Sequence, residues 1–150
     1  MSQFLTLDLG ETTGYCFKLD TGIVHGFISF KQAHFSGAGM KYLEFEKWLN
    51  KITNNKNIDA VYYESVNRHI GTYAAHNYGG YMAILIKFCE EKNIPYKGVP
   101  VTVIKKHNAG KGNANKQNVI DAVNKNGFNV SDDNEADAIA LYSFVECENA

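Results

Sequence analysis

Arginine is almost absent from this chain: of the 15 basic residues among 150, only Arg68 is one. Proline is scarce as well, with 2 residues, so little interrupts regular secondary structure. The 3 cysteines, Cys16, Cys89 and Cys147, are too few and too scattered for a disulfide framework, and they lack the Cys-x-x-Cys spacing of a zinc or redox site. They read as reduced thiols of a cytoplasmic protein. The longest apolar run, Tyr81 to Ile86, is far too short to cross a bilayer. The first twenty residues carry Asp8 and Glu11 where an export signal would be basic and then apolar. These absences exclude a disulfide scaffold, a zinc finger and a membrane protein.

What remains is 45% hydrophobic with 13 glycines and 9 tyrosines, the composition of one globular α/β domain over residues 1–150. The net charge of -1 hides an uneven distribution. Lys97, Lys105, Lys106, Lys111, Lys116 and Lys125 face only Asp121 within their stretch, leaving the rest of the chain acidic. A basic segment on an acidic protein suits a phosphate-bearing partner, or is a solvated lysine-rich loop and helix.

Phe4 to Leu9 alternates apolar and polar and predicts a strand. A turn over Gly10 to Gly14, then Tyr15 to Leu19, a short turn and Ile23 to Phe30, complete an antiparallel meander. Tyr42, Phe45, Trp48, Leu49 and Ile52 predict a helix from about Gly39 to Thr53. Ile58 to Glu64 reads as a buried strand parallel to the first. A helix from Tyr73 to Glu91, interrupted at Gly79-Gly80, and a strand from Ile94 to Val101 follow. Asn108 to Asn115 reads as a loop, Lys116 to Asn126 as a helix, and Asp132 as the cap of a last helix reaching Cys147, with Glu135 completing a capping box. This order gives a five-stranded mixed sheet with helices on both faces, the order of elements in ribonuclease-H-like folds.

Asp8 stands in an apolar strand and Glu64 ends another; a carboxylate there is costly unless something pairs with it. If the two strands are parallel neighbours, both acids emerge at one end. In the last helix Asp137, Ala140, Leu141 and Phe144 share a sheet-facing stripe, with Asp133 and Asn134 on the same side as Asp137. An all-oxygen set without histidine or cysteine points to magnesium, with manganese able to substitute. Each acid taken singly is equally a strand-end or helix-start residue facing water.

Leu7-Asp8-Leu9-Gly10 with Thr12-Thr13-Gly14, then Tyr63-Glu64, then Lys105-Lys106 to Gly110-Lys111-Gly112 and Lys116, then Glu135-Ala136-Asp137-Ala138, together resemble the successive motifs of RuvC-type Holliday junction resolvases, especially phage-borne ones. The resemblance spans about residues 4 to 145. It implies a homodimer that cuts four-way DNA junctions by paired metal-dependent nicks. Asp8, Glu64 and Asp137 would be ligands, and Lys105 and Lys116 would approach the scissile phosphate, with Lys106 and Lys111 tracking the backbone. The family's fourth acid falls at Asn134 here, so the amide, or Asp133 beside it, would complete the set. Cellular members carry an aromatic wedge after the Glu64 position. This chain has Ser65-Val66-Asn67-Arg68-His69, leaving Arg68, His69 and Tyr73 as the nearest groups for DNA. The small and aromatic residues of the second helix suit a dimer contact.

A ribonuclease H, a flap nuclease and a non-catalytic branched-DNA-binding protein would share these features. The Asp8 to Gly14 segment also resembles the phosphate hairpin of sugar kinases and actin, but their second half is missing from these residues and Gly110-Lys111-Gly112 is not a P-loop, so no nucleotide cofactor is expected.

Overall fold

The computed structural model describes residues 2–150. Its elements are β1 (Phe4–Asp8), β2 (Thr12–Leu19), β3 (Gly22–Ser29), α1 (Met40–Thr53), β4 (Ala60–Ser65), α2 (Gly71–Lys92), β5 (Tyr96–Pro100), α3 (Val101–Ala109), α4 (Lys116–Lys125) and α5 (Asp133–Glu148). The sheet runs β3-β2-β1-β4-β5. The β1–β2 and β2–β3 pairs are antiparallel, whereas β4 lies parallel to both β1 and β5. This is the mixed five-stranded sheet predicted from the sequence.

The alternation of β1 divides two cores. Leu5, Leu7 and Leu9 pack with Phe45 and Leu49 of α1 and with Tyr81, Leu85 and Phe88 of α2. Phe4 faces the other way, into a core with Ile104 of α3, Val119 and Val123 of α4, and Ala138, Ile139 and Leu141 of α5. Both faces of the sheet are therefore covered, and burial of these side chains supplies the main driving force for folding. No helix among the described residues is long and apolar enough to cross a membrane.

Three local expectations change. The stretch after β5 is a helix, α3, so Lys105 and Lys106 sit on a helix rather than in a loop. Its β-branched opening, Val101-Thr102-Val103, imitates a strand, but Pro100 ends the β ladder and caps the helix. Secondly, α2 runs unbroken through Gly79-Gly80, because Gly80 leaves room for the Tyr42 ring of α1 rather than breaking the helix. Thirdly, α5 is not striped. Ala136, Ala138, Ile139, Ala140, Leu141, Tyr142 and Val145 are all buried, since the sheet covers one side and α3 and α4 the other.

Two contacts seat α5 on the sheet. The Thr6 hydroxyl, fully buried, donates to the Ala138 carbonyl at 2.8 Å. Gly14 lies directly under the Asn134 carbonyl, where a Cβ would collide with backbone. A backbone obstacle cannot rotate away, so overpacking there is costly. Gly14→Ala should destabilise the fold by about 3 kcal/mol in urea unfolding; an unchanged midpoint would mean that α5 does not press on β2 as described.

Candidate metal centre

The register of the sheet explains how the first two acids meet. Leu7 pairs with Tyr63 across β1 and β4, so the next residues, Asp8 and Glu64, leave neighbouring parallel strands side by side. Both point to the face that α5 covers, and Asp137 reaches them from the second turn of that helix. One oxygen of each of Asp8, Glu64 and Asp137 lies within 4.8 Å of the others. All three are half-buried. No lysine, arginine or histidine forms a salt bridge with any of them among the described residues.

The electrostatics follow from this crowding. Burial, then the charges of Glu64 and Asp137, holds Asp8 well above the usual carboxylate range. Burial and the neighbouring Glu64 and Asp133 push Asp137 up to about 7, against the pull of Lys105 and Lys116. Glu64 is raised by burial, while Lys105 and a hydrogen bond with Asp8 oppose the rise. Like charges this close demand either protons or a cation. Three hard oxygen donors without nitrogen or sulfur fit a divalent ion of the magnesium and manganese class.

The surroundings sort the remaining candidates. Lys116 pairs with Asp133 at 3.2 Å, which leaves Asp133 outside the trio and ties the start of α4 to that of α5. Lys116 is otherwise exposed, at 82% of its side chain. Lys105 is half-buried and near enough to act on Glu64 and Asp137, whereas Lys106 and Lys111 are exposed. Asn134 meets the sheet through its backbone carbonyl, at Gly14. Arg68 is exposed, His69 packs its ring 4.8 Å from that of Tyr78, and Tyr73 is 69% exposed with the Lys41 ammonium 5.3 Å over its ring.

Several residues around the centre escaped sequence reasoning. The Tyr78 hydroxyl donates to the Glu64 carbonyl at 2.8 Å and accepts from the Val66 N–H at 3.3 Å, fixing the end of β4. Nothing in the spacing of Tyr78 distinguishes it from a core tyrosine. Ile70, one residue before α2, is 99% exposed; only the sequence oddity of an isoleucine before a glycine hints at it. Glu135 does not close the expected capping box. Asp132 caps the Glu135 N–H, but the Glu135 carboxylate turns to His25 Nδ1 at 2.6 Å. That bridge confirms His25 as structural.

No protein-family model matches this chain, and no curated protein does. Solved structures do. Thermus thermophilus RuvC in complex with a Holliday junction substrate superposes with a TM-score of 0.80 at 17% identity, over 99% of this chain and 97% of that one. This chain has the RuvC fold. A second Thermus thermophilus RuvC structure gives 0.78 at 15% identity, covering 98% and 96% of the two chains. The yeast mitochondrial Holliday junction resolvase Ydc2 gives 0.61 at 15% identity, over 95% of this chain and 76% of its own.

The raised carboxylates fix the sign of a pH effect. Each keeps a proton in the folded state that the unfolded chain has already lost above pH ~4. Their contribution to stability is therefore full at low pH and disappears as pH rises through about 7, the value for Asp137. In EDTA, Tm should fall from pH 5 to pH 8, and manganese should raise it more at pH 8 than at pH 6. Asp8→Asn should raise Tm in EDTA at pH 8 and remove the manganese response. A manganese response retained in that variant would refute the centre.

Proposed function

We propose that this protein is a metal-dependent endonuclease that resolves four-way DNA junctions by paired, symmetric nicks. The observation that carries the reading is the convergence of Asp8, Glu64 and Asp137, without a protein cation in contact, on a fold shared with the Holliday junction resolvases. Magnesium held by these carboxylates would supply Lewis acidity and a water acidified toward neutral pH.

The chain's own groups account for the rest. Tyr78 pins the Glu64 backbone, and Thr6 and Gly14 hold α5 so that Asp137 faces Asp8. Lys105, close to the carboxylates, is placed to meet the phosphate that replaces solvent there. Lys116 can exchange Asp133 for a phosphate oxygen, since its ammonium is already exposed. Lys106, Lys111 and Arg68 extend the positive surface along the backbone of the DNA, where such contacts set position rather than sequence. Ile70 stands fully exposed in the loop where cellular resolvases carry their aromatic wedge, and an apolar tip there can enter an opened base stack.

Symmetric nicks need two active sites, so the reading includes a homodimer. The outer face of α2 exposes Tyr73, Ala75 and His76, which suits that contact.

Purified protein should nick end-labelled four-way junctions symmetrically in magnesium and not in EDTA. Cutting confined to an RNA–DNA hybrid or a flap would move the substrate while keeping the site. Asp137→Asn should lower junction cleavage by about a thousandfold or more while junction binding persists. Lys116→Ala should cost about a hundredfold in turnover, and Lys97→Ala, remote on the edge strand β5, should change little. The reverse order for the two lysines would displace Lys116 from the site.

A further inference from the structure

A second concavity lies against the carboxylate trio. It is a hollow of about 340 Å³ between the loop that follows β4 and the junction of β5 with α3. Its lining divides by chemistry. Val66, Pro100 and Val101 offer aliphatic surface, and Ser65, Asn67, Arg68 and Thr102 offer hydrogen-bonding groups.

Its position ties it to the site. Ser65 is the residue after Glu64 and pairs with Pro100 across the two strands, so floor and centre share one stretch of sheet. On the other side, Lys105 stands one helical turn beyond Val101 on the same helix. A polynucleotide whose phosphate rests between Glu64 and Lys105 therefore carries its neighbouring nucleotide over this hollow.

The chemistry matches a nucleobase. Aliphatic walls accept a flat ring, and the volume lies within the range of small-ligand sites. Base edges mix donors with acceptors. Asn67 and the two hydroxyls both donate and accept, while the chain's lone arginine supplies a two-pronged donor of the kind that reads a purine edge. At a branch point a base leaves its stack at lower cost than within a continuous duplex.

We propose that this hollow receives one unstacked nucleobase beside the cut phosphodiester, and that Asn67 and Thr102 select which base is accepted. The inference rests on the nuclease reading above and adds a sequence preference to it. A site built to hydrogen-bond one base edge rejects another that leaves its polar groups unpaired.

The experiment uses four-way junctions carrying each of the four nucleotides at the positions flanking the cut, cleaved by wild type, Asn67→Ala and Thr102→Trp. Both substituted residues are exposed, so the variants should fold normally, which melting curves check. Wild type should discriminate by about tenfold at one flanking position. Asn67→Ala should weaken that preference, and Thr102→Trp, which fills the hollow, should abolish it. In parallel, 2-aminopurine at that position should brighten when wild type binds the junction in calcium, and should stay dim with Thr102→Trp bound. An unchanged preference in both variants, or dim 2-aminopurine in a junction that wild type binds and cuts, overturns the pocket and leaves the nuclease intact. A wild type that neither binds nor cuts junctions overturns the nuclease reading and the pocket with it.

Discussion

Mutual repulsion among three carboxylates in a half-buried seam is the constraint around which this molecule is organised. Asp8, Glu64 and Asp137 come from the first strand, the fourth strand and the last helix, and no protein cation touches them among the described residues. A structure optimised only for stability would replace such a cluster with apolar side chains. It persists because the surrounding contacts over-determine it. The Thr6 hydroxyl, the absent side chain of Gly14 and the Tyr78 hydroxyl each hold one of the acid-bearing segments in place from a position one to a few residues away. Local destabilisation is thereby concentrated where a bound ion would relieve it.

The lysines complement this arrangement without cancelling it. Lys105 acts from a distance on Glu64 and Asp137, and Lys116 is engaged with Asp133, one turn away from Asp137. Positive charge thus flanks the carboxylates rather than contacting them. That leaves the metal and the phosphate as the two vacancies in an otherwise paired electrostatic pattern, one for each sign of charge. The basic stretch noticed in the sequence turns out to be two helices, α3 and α4, whose shared edge borders the site.

Much of this was legible before any coordinates, because the governing patterns are local. The alternation of Phe4 to Asp8 fixed which residues face α5, and an acid in that strand announced itself as an anomaly. Parallel pairing of β1 with β4 then followed from a helical crossover, bringing Glu64 beside Asp8. What stayed hidden depended on contacts between distant segments. Val101 to Val103 have the branched side chains of a strand, and only the end of the β5 ladder at Pro100 turns them into a helix. Gly80 reads as a helix breaker until Tyr42 is seen beside it. Glu135 fits a capping box by spacing, yet a histidine on β3 outcompetes the backbone N–H for its carboxylate. No spacing rule separates Tyr78 from Tyr81, although one braces the site and the other lies wholly in the core.

The chain positions of the three acids have a kinetic corollary. Asp8 and Asp137 lie almost the whole sequence apart, and Asp137 arrives only when α5 closes over a sheet whose order already requires β4 to have inserted beside β1. Loop closure over that separation is among the last and slowest events available to such a topology. A partly folded chain can therefore own the meander, and even the first two carboxylates, without owning a cutting centre. For a protein that breaks DNA, completion of the fold itself acts as the safety catch.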